Sequence, residues 1–583
     1  MAEGVMGFTA PIYESPRAKE KPPYQQFPGG SAQTLRSEMT RLRNSPSMQA
    51  MSIDSAGSER EKQSGWLDWI ERVGNRLPHP MSLFIIGAVA VLVLSQIADW
   101  GNWSAEKTVL QEDPGGTTAK VVVEVTARGL LMGDGAFWTI DSLVKNFTGF
   151  APLGVVLVGM LGIGVAERSG AIGALLKVGM LITPARLLTP AMIFIGILSS
   201  MGLDAGYVVL PPIAAALYKS VGRSPLVGLA AAFVGVSAGF SANLFITGLD
   251  PMLAELSSEG AQILDSGRSV AATANLWFMI TSTIVLTLVG WGVTAWIVEP
   301  RYSSSVLTGG SSTLTEEDLR ARTITPEERR GLKAAGVVLS LFLIVLLSLI
   351  LPEGAPLSGK ALAPYNDFDR WVKAIVPLLL FCFLLPGIAY GIAARNIRND
   401  HDVAKMMGKT MADMGPYIVL AFFAAQFVAF FKESNLGEMM ALSGGKLLAT
   451  ASLPSWLLIV GFIVLVMFAN LFIGSASAKY GFLGPVFVPM FMQGASISPE
   501  LTQAAYRVGD SCSNIITPLN PYMVIILVFM QKYMPKGGIG TLIALMLPYA
   551  LVFAVVWTAL LVLWMIIGFD LGPQGPLEYN ANP

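Results

Sequence analysis

The chain has 583 residues, of which 53% are hydrophobic and 14% charged, with a formal net charge of −1. A soluble chain of this length carries roughly a quarter charged residues, so a water-soluble globule is excluded, and the balanced charge gives no sign of a nucleic-acid partner. Two cysteines, Cys382 and Cys512, and two histidines, His79 and His401, make neither a disulfide framework nor a metal or catalytic histidine cluster.

Residues 1–64 are polar and rich in Pro, Ser and Gln, and are expected to form a disordered N-terminal tail. "SGWLDWIERVGNRLPHP" follows and reads as a short amphipathic helix at the membrane interface, with Trp66, Trp69 and Ile70 on one side. Apolar runs of spanning length then recur. Among them are "MSLFIIGAVAVLVLSQIA", "AAGVVLSLFLIVLLSLIL", "SWLLIVGFIVLVMFANLFIG" and "ALMLPYALVFAVVWTALLVLWMIIG". The pattern predicts an all-α polytopic membrane protein, with a membrane domain over 65–570 and a C-terminal tail over 571–583.

Lys and Arg concentrate in loops 297–334 and 395–409, whereas 352–369 carries only Lys360. The positive-inside rule places the first two loops and the N-terminus in the cytoplasm. Segment 100–149, with "KVVVEVTARGLL", is predicted to form a small external hairpin.

The two halves share a repeat. "SPLVGLAAAFVG" (224–235) aligns without gaps on "SPELTQAAYRVG" (498–509), and six of twelve positions are identical. Downstream, "SANLFITGLDP" ends at Pro251 and "SCSNIITPLNP" at Pro521; upstream, "SMGLDAGYVVLPP" matches "GSASAKYGFLGPVFVP" in character. Paired hydrophobic segments interrupted by Gly and Pro point to a transporter binding site, because lipid cannot satisfy the backbone groups that broken helices expose. Re-entrant hairpins are expected around 199–222 and 475–497, each followed by a helix broken at Asn243–Pro251 or Asn514–Pro521.

Arg507, Asp510 and Asn514 fall at i, i+3 and i+7, on one helix face. Charges at membrane depth face a cavity or a partner. One reading is an intrahelical ion pair that fixes packing. The other assigns Arg507 to a substrate carboxylate, and Asp510 with Asn514 to a cation or proton. Asp204, with no basic neighbour in sequence, is a proton carrier or a helix cap. Asn470 is a helix–helix contact or a cation ligand. Ser475 and Ser477 permit close packing or bind substrate. Lys479 reads as a lysine snorkelling to a headgroup, and Tyr480 as an interfacial anchor or a ring platform. Asn243 mirrors Asn514 through the repeat. Na+ at Asp510, Asn514 and Asn470 is the candidate metal site. "GVSAG" (235–239) spells G-x-S-x-G around Ser237, but a helix precedes it and both histidines lie far away, which argues against a hydrolase.

"GNRLPHP", "GLDAGYVVLPP", "GSASAKYGFLGPVFVPMFM" and "AAYRVGDSCSNIITPLNPYM" resemble the p-aminobenzoyl-glutamate transporter (AbgT) family over roughly residues 65–570. The resemblance implies a homodimer in the bacterial inner membrane, with about nine transmembrane helices plus two re-entrant hairpins in inverted repeats. It implies ion-coupled transport of p-aminobenzoyl-glutamate or related small aromatic carboxylates, or efflux of p-aminobenzoate and sulfonamide-type compounds, through an elevator-like movement. Na+ or H+ would be the coupling ion, with no other cofactor. The functional positions it carries over are Asp204, Asn470, Ser477, Tyr480, Arg507, Asp510, Asn514 and Pro518. At Tyr480 the family pattern has tryptophan. A passive pore is the alternative reading.

Overall fold

The computed structural model describes residues 80–112, 118–202, 205–302, 323–361, 369–517, 519–520, 522–535 and 537–580. The expectations for the N-terminal tail, the interfacial helix, Asp204 and Pro518 lie outside these residues.

The described chain is helical apart from one hairpin. Helix α1 (Pro80–Trp100) leads into strands β1 (Ser104–Glu112) and β2 (Thr118–Thr126), antiparallel with Ser104 opposite Thr126 and Glu112 opposite Thr118. This is the hairpin predicted between 100 and 149. The first half continues with α2 (Ala151–Arg168), α3 (Ala171–Leu181), α4 (Leu188–Leu198), α5 (Ala205–Ser220), α6 (Pro225–Phe233) and α7 (Leu249–Ala261). Between the halves run α8 (Leu276–Val293), α9 (Pro326–Ile350), α10 (Ile375–Ala393), α11 (Asp400–Asp413), α12 (Gly415–Glu433) and α13 (Leu436–Ala451). The second half holds α14 (Ser455–Asn470), α15 (Ala476–Ala495), α16 (Pro499–Ser513), α17 (Met523–Gln531) and α18 (Ile539–Ile567).

Seven of the described helices are long and apolar enough to cross a membrane, and α3 with α4 forms a further pair bent by 113°. In α9 the capping box Thr325–Glu328 starts the helix: Glu328 N donates to Thr325 Oγ1 at 3.1 Å and Thr325 N to Glu328 Oε2 at 2.8 Å. The rest of α9 is apolar on every side and buries only Gly331, which suits a helix solvated by lipid.

The repeat is architectural. α4, α5, α6 and α7 recur in order as α14, α15, α16 and α17, with chain breaks at equivalent places. Among the described residues the hairpin breaks lie at 199–202 and 471–475, at the front edge of the predicted segments. Their first arms are α4 and α14, apolar helices of 11 and 16 residues. In sequence α14 reads as a full span because "LFIG" prolongs its apolar run past the break. The second arms carry paired internal prolines, Pro211 and Pro212 in α5, Pro485 and Pro489 in α15. Proline lacks an N–H and leaves carbonyls of the preceding turn unsatisfied within the helix.

The last glycine of each repeat sets the packing. A Cβ on Gly235 would collide with Ile193 O in α4, and one on Gly509 would sit 2.7 Å from Ile463 O in α14. Each repeat helix therefore crosses its own hairpin arm at backbone contact. All of α6 is buried, and so is every residue of α16 from Pro499 to Ser513. The two repeat helices form the centre of the protein, although α16 is polar along much of its length.

Candidate substrate and ion site

The site is built where the two broken helices meet. After α6 the chain makes a π-helical turn, Val234–Ala238, and then loses helical form until α7. After α16 the described residues between Asn514 and Tyr522 are likewise non-helical. The first break touches the last turn of α16 at repeat-equivalent serines 270 residues apart: Ser241 N donates to Ser511 Oγ at 3.3 Å. From glycine to serine the first half is four residues longer (Gly235 to Ser241 against Gly509 to Ser511), and the π turn lies in that stretch.

Across this contact Arg507 reaches out of its own half. Its Nη2 lies 2.7 Å from Asp250 Oδ1, a charge contact rather than an aligned hydrogen bond. Nη1 donates to Ser241 O at 3.5 Å. Nε is buried and has no hydrogen-bond partner among the described residues. Asp250 is fixed by its other oxygen, which accepts from Thr247 N at 2.6 Å and Thr247 Oγ1 at 2.8 Å. That leaves Oδ1 for the guanidinium. The counterpart of Asp250 in the second break is Asn520, whose Nδ2 donates to Ser237 Oγ in the π turn at 3.2 Å. The same crossing is made twice, once by charges and once by neutral groups.

Asp510 turns to a different partner. Lys479, in the first turn of α15, is fully buried, and its Nζ is 2.5 Å from Asp510 Oδ1. The same ammonium donates to Asn470 Oδ1 at the end of α14. Asn470 Nδ2, with two hydrogens to share, lies within donating reach of three acceptors: Asp510 O at 2.8 Å, Ser513 Oγ at 2.9 Å and Asn514 Oδ1 at 2.8 Å. Asn514 Nδ2 reaches Asp510 Oδ2 at 3.5 Å.

These contacts correct three sequence readings. Arg507 and Asp510 are not an intrahelical pair, because each is drawn to a nearer opposite charge on another element. Lys479 does not snorkel; the hairpin break turns it inward to a buried carboxylate. Tyr480 is no interfacial anchor, since it is fully buried, its hydroxyl 2.7 Å from Ser257 Oγ and its ring 4.4 Å from that of Tyr506. Ser475 caps α15 by accepting from Ala478 N at 3.3 Å, and half-buried Ser477 lies beside it at 3.3 Å. Asn243 accepts from Ser200 Oγ at 3.0 Å, at the first hairpin break, as Asn514 joins Asn470 at the second.

Sequence reasoning missed Asp250. Its signal was the repeat itself, since "TGLDP" places an acid where "TPLNP" has an amide. Ser237 of the G-x-S-x-G spelling lies in a helix turn bonded to Asn520, and His401 is exposed on α11.

Two paired broken helices with buried charges at their crossing are transporter architecture, and the comparisons agree. Residues 65–579 match the AbgT putative transporter family. The chain belongs to that family. It is 37% identical over 527 residues to the p-aminobenzoyl-glutamate transport protein of Escherichia coli K12, covering 90% of this chain and 99% of that one. The crystal structure of the YdaH transporter of Alcanivorax borkumensis superposes with a TM-score of 0.77 at 41% identity, over 85% of this chain and 100% of that one. MtrF of Neisseria gonorrhoeae, described as illuminating a class of antimetabolite efflux pumps, gives 0.78 at 42% identity, over 86% and 97%. The expected family membership and the helical, multi-pass fold both stand.

Proposed function

We propose that this AbgT-family transporter is an ion-coupled secondary transporter of small aromatic carboxylates of the p-aminobenzoyl-glutamate or p-aminobenzoate type. The observation that carries the reading is Arg507: a buried guanidinium at the helix crossing, with Nε free of a described partner. A carboxylate leaving water needs such a group, and the planar fork of arginine suits it. Substrate exchanges with Asp250 for the guanidinium, so loading and release are tied to movement of the first break against the second. Tyr480 and Ser477 stand on α15, next to the Lys479 that meets Asp510 of α16. The family name and the names of its relatives, all transporters, support a transport role rather than an enzymatic one.

The coupling ion is Na+ or H+. The protein works as a homodimer in the bacterial inner membrane with its N-terminus in the cytoplasm; the Lys and Arg of loops 297–334 and 395–409 support the orientation.

The test is uptake of labelled p-aminobenzoyl-glutamate into proteoliposomes, with Na+ and pH gradients imposed separately. Accumulation against a gradient with one ion supports coupled transport. Equilibration that ignores both gradients would leave a passive pore.

A further inference from the structure

The ion-binding half of that reading meets an obstacle. A hard cation such as Na+ takes oxygen ligands. The side-chain oxygens that Asp510, Asn514 and Asn470 would offer are four, and each already faces a nitrogen. Asp510 Oδ1 meets Lys479 Nζ at 2.5 Å. Asn470 Oδ1 accepts from the same ammonium. Asn514 Oδ1 accepts from Asn470 Nδ2 at 2.8 Å, and Asp510 Oδ2 faces Asn514 Nδ2 at 3.5 Å. As arranged, the three residues do not fit Na+.

We propose that the Lys479 ammonium is itself the resident cation of the Asn470–Asp510–Asn514 cluster, so that this chain holds its second break with a tethered charge and takes no free Na+ there.

Three further observations support the assignment. Lys479 stands in the first turn of α15, where the helix dipole disfavours a cation. Helix stability therefore does not account for a lysine at this position, whereas the carboxylate facing it does. The ammonium is wholly enclosed, and a buried charge persists only with a partner. Finally, Lys479 Nζ lies 5.9 Å from the centroid of the Tyr506 ring, so an aromatic face completes the enclosure. A carboxylate oxygen, an amide oxygen and a ring around one positive point make a cation site whose ligand is covalently attached. The ammonium also joins the start of α15 to α16, so the hairpin cannot leave the broken helix without separating Lys479 from Asp510.

The proposal rests on the reading of this crossing as the transport site, but its test needs no substrate. Thermal unfolding of the purified protein in detergent is compared in NaCl and in choline chloride at equal ionic strength. Wild type is expected to shift by less than about 1 °C between the salts. Lys479→Met frees Asp510 Oδ1 and Asn470 Oδ1, and should gain a saturable Na+ stabilisation of about 3 °C or more. Lys479→Met/Asp510→Asn removes the carboxylate as well and should again ignore Na+. Lys479→Gln is the substitute where Lys479→Met does not fold in either salt, with the same expected gain. A saturable Na+ shift in wild type that disappears in Asp510→Asn would place Na+ on the cluster despite the lysine and overturn the proposal. So would indifference to Na+ in a folded Lys479→Met or Lys479→Gln. Failure of the transport assay would sink the proposed function and leave this result unchanged.

Discussion

Asp250 and Arg507 face each other at 2.7 Å across the junction of two broken helices, one residue from each half of the protein. At the mirrored junction Ser237 and Asn520 meet at 3.2 Å without charge. In the helix register Arg507 aligns with Phe233, and Ser237 stands one turn beyond. The repeat thus supplies the crossing twice, and the sequence puts a guanidinium at only one of them. The carboxylate site follows that asymmetry rather than the symmetry of the fold.

Removing either charge leaves the other buried and unpaired, which typically costs about 3–5 kcal/mol. Asp250→Asn and Arg507→Gln should each lower the melting temperature of the purified protein markedly. The double variant should recover most of the loss, since no net buried charge remains. In substrate binding the two separate. Arg507→Ala and Arg507→Lys should both nearly abolish affinity, because an ammonium cannot form the bidentate fork. Wild-type affinity in a folded Arg507→Ala would make the arginine structural.

The repeat glycines offer a second measurement. Gly509 has room for no side chain because Ile463 O lies 2.7 Å from where a Cβ would stand, and Gly235 is blocked by Ile193 O in the same way. Backbone oxygens cannot rotate aside. Gly509→Ala and Gly235→Ala should each destabilise by about 1–3 kcal/mol, as overpacking does. Gly336 on α9 meets nothing within 4 Å, so Gly336→Ala should leave the melting temperature unchanged or raise it slightly. Equal effects at all three positions would remove the close-crossing account.

Much of this site was legible because it is a repeat. The serine-proline starts, the shared glycines and the two proline-ended breaks stand in the sequence at matching places, and the structure builds matching elements from them. The partners of the charges were not legible. Asp250 and Lys479 are each remote in sequence from what they bind, and local spacing favoured an Arg507–Asp510 pair at i, i+3. Which carboxylate wins depends on how the halves cross, and spacing within one helix carries no record of that. Lys479 misled for a related reason: beside a glycine-rich break a lysine looks interfacial until the break is seen to turn inward.

Orientation can be settled by labelling. Lys405 on α11 is exposed, as is Val122 on β2, and the charge bias puts them on opposite sides of the membrane. In a Cys382→Ser background, Val122→Cys should react with an impermeant thiol reagent added to intact cells. Lys405→Cys should react only after permeabilisation. Cys512 is buried and should contribute little background. The reverse pattern would invert the topology.

Tyr480 tests how tightly the junction of α15 with α7 and α16 is packed. The tyrosine is fully buried, and its hydroxyl lies 2.7 Å from Ser257 Oγ, which donates to Gln503 Oε1 at 3.0 Å. These bonds tie α15 to α7 and α16. Tyr480→Phe keeps the ring beside Tyr506 and loses the hydroxyl, which should cost about 0.5–1.5 kcal/mol of stability. Tyr480→Trp adds volume to a space with none to spare and breaks the same bond. It should therefore cost more, about 1–3 kcal/mol from overpacking alone. The ranking to measure is wild type above Phe above Trp in melting temperature. Substrate affinity reports separately on the ring: if aromatic stacking on position 480 is what the transporter uses, Phe retains affinity and Tyr480→Leu loses it. A Trp variant as stable as wild type would mean that the hydroxyl network around Ser257 is not what fixes this position.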